Sequence, residues 1–370
     1  MRIKLALAPR MGRQVVIEEV ELADPGPHEV RLKLMTCTIC HSDIHSMSGE
    51  HGEYEGPCAA GHEIAGIVDA IGEGVTYVKP GDRVLGSLMR QPCGVCDKCL
   101  EGRIMWFCRE MKAPPAGMPP SPITRLNGET VRLPYGMAGY ATHTNISEHR
   151  LVKLDDDIPY EIASIIACGF VSGFAAVLNR SRIRPGESFA VSGCGGVGMS
   201  ALMGAKFSGA APIIAIDPIQ SKLDTAKKLG ATHTINPKET DPVKAVMEIT
   251  DGYGVDHSFV AVGGDGIKRT TFDLTAGDGQ MVVVGHLALK DEVMHEFNFM
   301  EFLRGKRIIG SILGAISLRR DMPKYMELYR LGLIDIGALL SNRFKLDDIQ
   351  EALDDSERGA LKNLVICNEE

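Results

Sequence analysis

The hexapeptide Gly193-Cys194-Gly195-Gly196-Val197-Gly198 constrains the fold more than any other part of the chain. It follows an apolar run at 188–192 that reads as a short strand, and it opens a helical segment at 197–207. Glycines at these spacings allow a tight strand-to-helix turn and the close approach of a pyrophosphate to the helix N-terminus. Alone the pattern occurs in many turns; its place between a strand and a helix gives it content. Asp217 ends the next strand, 213–216, and lies 19 residues beyond Gly198. That spacing suits a carboxylate binding a ribose 2′-hydroxyl and disfavours a 2′-phosphate. Pro218, not Arg, follows it, so NAD is expected rather than NADP.

The same alternation continues on both sides. Helices are expected at 172–179 and 220–229, and strands at 257–262, 280–284 and 307–312. This is the pattern of a doubly wound parallel sheet. Upstream the character differs. Val30, Leu32 and Leu34 alternate with Arg31 and Lys33, which predicts a half-buried strand at 30–35. Strands at 15–20 and 66–71 and turns at 24–27 and 80–84 make the first part mostly β. Helices at 318–331 and 346–356 and a strand at 363–367 close the chain. The expected division is a catalytic domain from 1–171 and 313–370, and a dinucleotide-binding domain at 172–312.

A chain of 370 residues, 44% hydrophobic and 24% charged, fits two globular domains. The net charge of −8, without a basic tract, argues against nucleic acid as a partner. The first residues lack the apolar core of a signal peptide, and no stretch reads as a membrane span. The cytoplasm is therefore the expected compartment, with no membrane partner.

Cysteine usage points to metal. Cys93, Cys96, Cys99 and Cys108 are spaced Cys-x2-Cys-x2-Cys-x8-Cys. Four thiolates make a closed tetrahedral set with no open position, which is a structural zinc. A redox role for the Cys-x-x-Cys pairs fits less well, because no thioredoxin-like helix follows. A second cluster runs from Cys40-His41-Ser42-Asp43-Ile44-His45 to Gly61-His62-Glu63. Cys40 and His62 are two zinc ligands of the kind a catalytic site uses, and Cys168 is the best candidate for the third. Asp43 is placed to accept the distal N–H of His62. Glu63 is expected behind the metal, and Ser42 and His45 could carry a proton. On its own, His45 reads better as a surface histidine. Cys37 and Cys58 are expected to be ordinary buried cysteines.

These stretches, together with Cys168-Gly-Phe170 and Lys362, resemble the zinc-containing medium-chain alcohol dehydrogenase family over essentially the whole chain. The long segment 109–137 is similar to the long-loop, dimeric branch. The resemblance implies a GroES-like catalytic domain and a Rossmann domain, with the active site in the cleft between them. It implies that Cys40, His62 and Cys168 hold the catalytic zinc, that Ser42 and His45 relay the proton, and that Asp217 and Lys222 hold the adenosine ribose. Lys362 is expected at the coenzyme pyrophosphate. Two zinc ions, NAD and a homodimer follow from the same likeness, the dimer through the strand at 307–312.

Two departures stand out. His41 occupies a position where much of the family has Arg beside the pyrophosphate. The last spacing of the four-cysteine run, x8, is one residue longer than the usual x7, with Trp106-Phe107 before Cys108. The expected activity is hydride transfer between an alcohol, or the matching aldehyde or ketone, and NAD. The alternatives are a zinc-retaining relative that oxidises a thiol–formaldehyde adduct or reduces a conjugated alkene, and a non-catalytic protein that binds NAD and zinc. Leu88, Met89 and His286 are the expected substrate-pocket residues.

Overall fold

The alternation at 30–35 forms part of a strand, Glu29–Thr38, that lies at the heart of a seven-stranded sheet. Val30, Leu32 and Leu34 are fully buried on its inner face. From Met35 onward the strand is buried on both faces, so no alternation marks its end. The computed structural model describes residues 1–101, 107–109, 121–264, 266–285 and 297–369. Two compact units make up the chain, Met1–Cys168 with Ile316–Glu370, and Gly169–Ala315.

In the first unit the sheet order is Leu340–Lys345, Lys362–Ile366, Glu29–Thr38, Glu63–Ile71, Arg83–Gly86 and Leu151–Lys153, with His143–Ser147 also paired to Glu29–Thr38. A three-stranded sheet, Arg2–Leu7, Val16–Leu22 and Ile123–Arg125, packs into the same core. The strand Arg2–Leu7 was not expected, and Ile123–Arg125 lies inside the segment expected to be a loop; residues 110–120 of that segment are outside the described set.

In the second unit six strands run in the order His233–Ile235, Ile213–Ile216, Phe189–Ser192, Val255–Val260, Thr275–Val283 and Arg307–Gly310. Every pair is parallel. The chain order reverses at Phe189–Ser192, and ligands of such sheets bind outside the carboxyl ends of the strands at that point. Gly193 begins there.

A continuous helix of 22 residues, Tyr160–Ser181, carries Cys168. By length and composition it is apolar enough to cross a membrane, which corrects the expectation that no stretch is. Within the protein, 89% of its most apolar window is buried. Residues 162–177 are buried on every side, so no amphipathic period marks the helix start, and the expected boundary at 172 falls mid-helix.

Candidate active site

Cys40 is the N-cap of the helix His41–Ser48, in extended backbone. Asp43, at the third helical position, accepts the Cys40 N–H at 3.3 Å. The same carboxylate accepts the His62 Nδ1–H at 2.8 Å, the Gly61 N–H at 2.9 Å and the Tyr140 hydroxyl at 2.7 Å. Asp43 is fully buried, and with a donor on each side of both oxygens its charge is satisfied. This fixes the His62 tautomer and turns Nε2 the other way. Nε2 is buried and has no hydrogen-bond partner among the described residues.

Ligand atoms of Cys40, His62, Glu63 and Cys168 all lie within 4.8 Å of one another. Cys168 sits in a π-helical turn, Ile166–Phe170, a distortion that often marks functional positions. The pocket favours positive charge. The Cys40 thiol is pushed well down by a hydrogen bond from Cys168, with Lys362 and His62 adding to it. Burial opposes the charged form of His62, yet Asp43 and Cys40 outweigh it and push its value well up. Two thiols, an orphaned imidazole nitrogen and surplus negative charge fit a zinc ion. Ser87 Oγ donates to the Ala167 carbonyl at 2.7 Å, tying the next loop to the helix that carries Cys168. Beside it Met89 is buried and Leu88 half-buried; His286 lies outside the described residues.

Glu63, whose carboxylate belongs to this group, is fully buried. Lys362 Nζ donates to both of its oxygens, at 2.6 and 2.7 Å, and to the Ile39 carbonyl at 3.2 Å. Thr38 Oγ1 also donates to it. The expectation that Lys362 meets a pyrophosphate needs correction on this point. Lys362 is only 4% exposed, and an ammonium has three donors, all of them engaged within this unit.

Ser42 and His45 follow Cys40 on one helix. Tyr135 OH donates to the Ser42 carbonyl at 2.6 Å and lies 2.6 Å from Ser46 Oγ, and its ring is 4.6 Å from that of His62. The long segment therefore does reach the site. His41 is exposed, with its ring 6.5 Å from that of His45. Tyr135, Tyr140 and Thr38 were missed from sequence. The two tyrosines meet the helix from 93 and 97 residues away, and no local spacing signals that.

The second group is Cys93, Cys96, Cys99 and Cys108, again within 4.8 Å. Residues 102–106, where the extra residue of the run would be taken up, fall outside the described set. Arg109 pairs with Asp97, closing the loop just past Cys108. Backbone N–H groups of Arg109 and Cys99 push the Cys96 thiol down to about 6. Burial and neighbouring thiols push Cys99 up to about 12. In zinc-stripped protein at pH 7, iodoacetamide is expected to label Cys96 well before Cys99, because the thiolate is the nucleophile. Peptide mass spectrometry reads the order; Cys99 labelled first would contradict this electrostatic arrangement.

In the second unit, Gly193 follows the strand Phe189–Ser192 and the helix Gly196–Phe207 begins three residues on. A Cβ on Gly198 would lie 1.8 Å from the Gly193 carbonyl oxygen, so only glycine lets the helix pack on the turn. At Gly195 a Cβ would meet nothing within 4 Å, which leaves open space over the helix N-terminus. Asp217 accepts the Cys194 N–H at 2.8 Å and the Ile219 N–H at 2.9 Å. Half of its acceptor capacity remains for a ligand. Lys222 lies in the helix Gln220–Leu229, half-buried. A turn, an open helix N-terminus and a carboxylate at the next strand end fit a dinucleotide.

Known proteins are similar to the chain over nearly its whole length. The Alcohol dehydrogenase GroES-like domain family matches residues 26–156, and the Zinc-binding dehydrogenase family matches residues 196–330. The chain is 33% identical over 359 residues to S-(hydroxymethyl)glutathione dehydrogenase of Synechocystis sp., covering 96% of each. It is 32% identical over 370 residues to the Escherichia coli protein of that name, covering 99% of this chain and 100% of that one. Benzyl alcohol dehydrogenase from Acinetobacter calcoaceticus superposes over 100% of both chains with a TM-score of 0.88 and 31% identity. An alcohol dehydrogenase zinc-binding domain protein from Burkholderia ambifaria does so with a TM-score of 0.90 and 30% identity.

Proposed function

Because the chain belongs to the zinc-containing medium-chain alcohol dehydrogenase family, we propose that it moves a hydride between a primary or secondary alcohol and NAD, with the matching aldehyde or ketone as the other partner. The observation that carries this reading is the buried, unpartnered His62 Nε2 beside the Cys40 and Cys168 sulfurs. When bound, zinc supplies Lewis acidity toward an alcohol or carbonyl oxygen, and the nicotinamide supplies a hydride acceptor or donor.

The chain's own residues then divide the work. Cys40, His62 and Cys168 hold the metal, and Asp43 orients His62. The Ser42 hydroxyl takes the substrate proton and passes it on, since a hydroxyl both accepts and donates. His45 delivers it to solvent. Gly193, Gly195, Gly196, Val197 and Gly198 cradle the pyrophosphate, with His41 at its side. Asp217 and Lys222 hold the adenosine ribose. Residues 1–171 and 313–370 carry the zinc chemistry, and 172–312 the coenzyme. A panel of alcohols with NAD and NADP, followed by absorbance of the reduced coenzyme, tests the whole reading. No reduction with any alcohol would sink it. Asp217→Gly is expected to narrow the preference for NAD by removing the repulsion of a 2′-phosphate; equal efficiency with NADP in the parent removes the basis for that role.

A second reading has specific support. Two of the relatives above bear the name of a thiol–formaldehyde adduct dehydrogenase. Including S-(hydroxymethyl)glutathione in the panel separates the two, through kcat/KM against that of a simple alcohol.

A homodimer in the cytoplasm completes the proposal. The edge strand Arg307–Gly310 has one neighbour in its sheet among the described residues, and Phe299, Leu303 and Ile312 nearby in sequence are more than half exposed. Unpaired apolar edges invite association. Light scattering that returns a monomer at working concentration would remove the dimer.

A further inference from the structure

The helix His41–Ser48 ends at Gly49, whose φ of 86° is left-handed. The turn favours glycine by conformation; a Cβ there would meet only the flexible, exposed Met11 side chain, 2.3 Å from its Sδ. The turn folds the chain back, and Glu50 comes to rest on the last helical turn. Glu50 Oε2 lies 2.5 Å from His45 Nδ1. Oε1 accepts Ser48 Oγ–H at 3.0 Å and an Arg13 N–H at 3.2 Å. Arg13 in turn pairs with Glu357. The rings of His41 and His51 are 6.5 and 5.4 Å from that of His45. Burial works against the Glu50 carboxylate, but its bonds with His45 and Ser48 outweigh this and hold it below its ordinary value. It is therefore ionised at neutral pH.

We propose that Glu50 is a positioning residue for proton transfer at His45. It keeps a proton on Nδ1 and leaves the Nε2 lone pair as the acceptor. The proposal rests on the relay reading of His45. An ionised carboxylate only accepts hydrogen bonds, so its partner nitrogen must carry hydrogen, which selects one tautomer. In the transfer a hydroxyl O–H bond breaks and an Nε2–H bond forms, while the Nδ1–H bond persists. The imidazolium so made faces a carboxylate that offsets its charge, the same division of roles that orients histidine bases elsewhere. Release of the Nε2 proton to water restores the neutral ring. A purely structural pairing, fastening Glu50 to the helix end, would leave the tautomer and the chemical step indifferent to Glu50.

Glu50→Gln tests this. The change is isosteric, at a side chain that is 32% exposed. A Gln amide can donate as well as accept, so it no longer dictates the tautomer. In zinc-loaded protein with ¹⁵N-labelled histidine, NMR is expected to show the Nδ1–H tautomer of His45 in the parent and a mixture in Glu50→Gln. Glu50→Asp, which stays acceptor-only, is expected to keep the parent tautomer, and it carries the same readout should the Gln variant fold poorly. In single-turnover alcohol oxidation near pH 7, His45→Gln is expected to slow hydride transfer about 10-fold. Glu50→Gln is expected to slow it by a smaller factor, about 3-fold, and the double variant to be no slower than His45→Gln alone. An unchanged tautomer in Glu50→Gln, or losses that add in the double variant, overturns the role of Glu50 and leaves the relay standing. A His45→Gln variant as fast as the parent overturns the relay reading, and this inference with it.

Discussion

Cys168→Ser is expected to reduce the zinc content from two ions per chain to one and to slow alcohol oxidation roughly 10³-fold, the equivalent of about 4 kcal/mol of lost transition-state stabilisation. The thiol lies in the group Cys40, His62, Glu63 and Cys168, where among the described residues no spare thiolate stands in for it. A hydroxyl of nearly the same volume fills the space, so the helix Tyr160–Ser181 keeps its packing. A weaker, neutral oxygen is left to hold the metal. Melting temperature should therefore move little while metal and activity fall together. Cys99→Ser is expected to behave in the opposite way, lowering the melting temperature first, because its four-cysteine set is closed and structural. Elemental analysis with a thermal melt distinguishes the two. A Cys168→Ser protein that retains two zinc ions and normal turnover would remove Cys168 from the site.

The second large effect falls on stability. Lys362→Met is expected to cost about 3–5 kcal/mol, the usual consequence of removing one partner from a buried ion pair. Glu63 would be left fully buried without its cation, holding only the Thr38 hydroxyl. Burial already pushes the Glu63 carboxyl up to about 7 from an ordinary 4.5, against the pull of Lys362. A carboxyl whose folded value is raised contributes its stability below the unfolded value, and loses it as pH climbs through the folded one. Without Lys362 the folded value rises further. The deficit of Lys362→Met should thus be smallest near pH 5 and grow toward pH 8. Urea titrations at both pH values measure it. Adding Glu63→Leu should recover part of the loss, since an apolar pair needs no counter-charge. A deficit that shrinks with rising pH would mean that Glu63 is not the group left stranded.

How much of this was legible in the chain depended on distance along it. Cys40, His62 and the four-cysteine run were readable because ligand spacing is local. So was the turn at Gly193 to Gly198, where glycine is dictated by contacts a few residues away. The Asp43–His62 pair spans 19 residues and was inferred from chemistry alone. Lys362 was read as a pyrophosphate residue, because its partner lies 299 residues upstream and nothing nearby in sequence names it. Tyr140, which completes the shell around Asp43, sits in a stretch with no periodicity. The helix at Tyr160 was hidden for the opposite reason. Burial on all sides erases the polar face that would have marked its beginning. Glu50 was passed over because a carboxylate past a helix end reads as a solvated residue until the left-handed turn at Gly49 is seen.

The pairing of Glu29–Thr38 with Lys362–Ile366 has a consequence for the order of events during synthesis. All seven candidate cysteine and histidine ligands are translated by residue 168, before the midpoint of the 370 residues. The strand that flanks Glu29–Thr38, and the amine that neutralises Glu63, follow only at residues 362–366. Until then the nascent first unit shows an unpaired strand edge and an acidic pocket without its internal cation. The second unit, uninterrupted from Gly169 to Ala315, can fold in the meantime. The candidate catalytic site therefore gains its internal cation only after the second unit has been translated, later than every candidate zinc ligand.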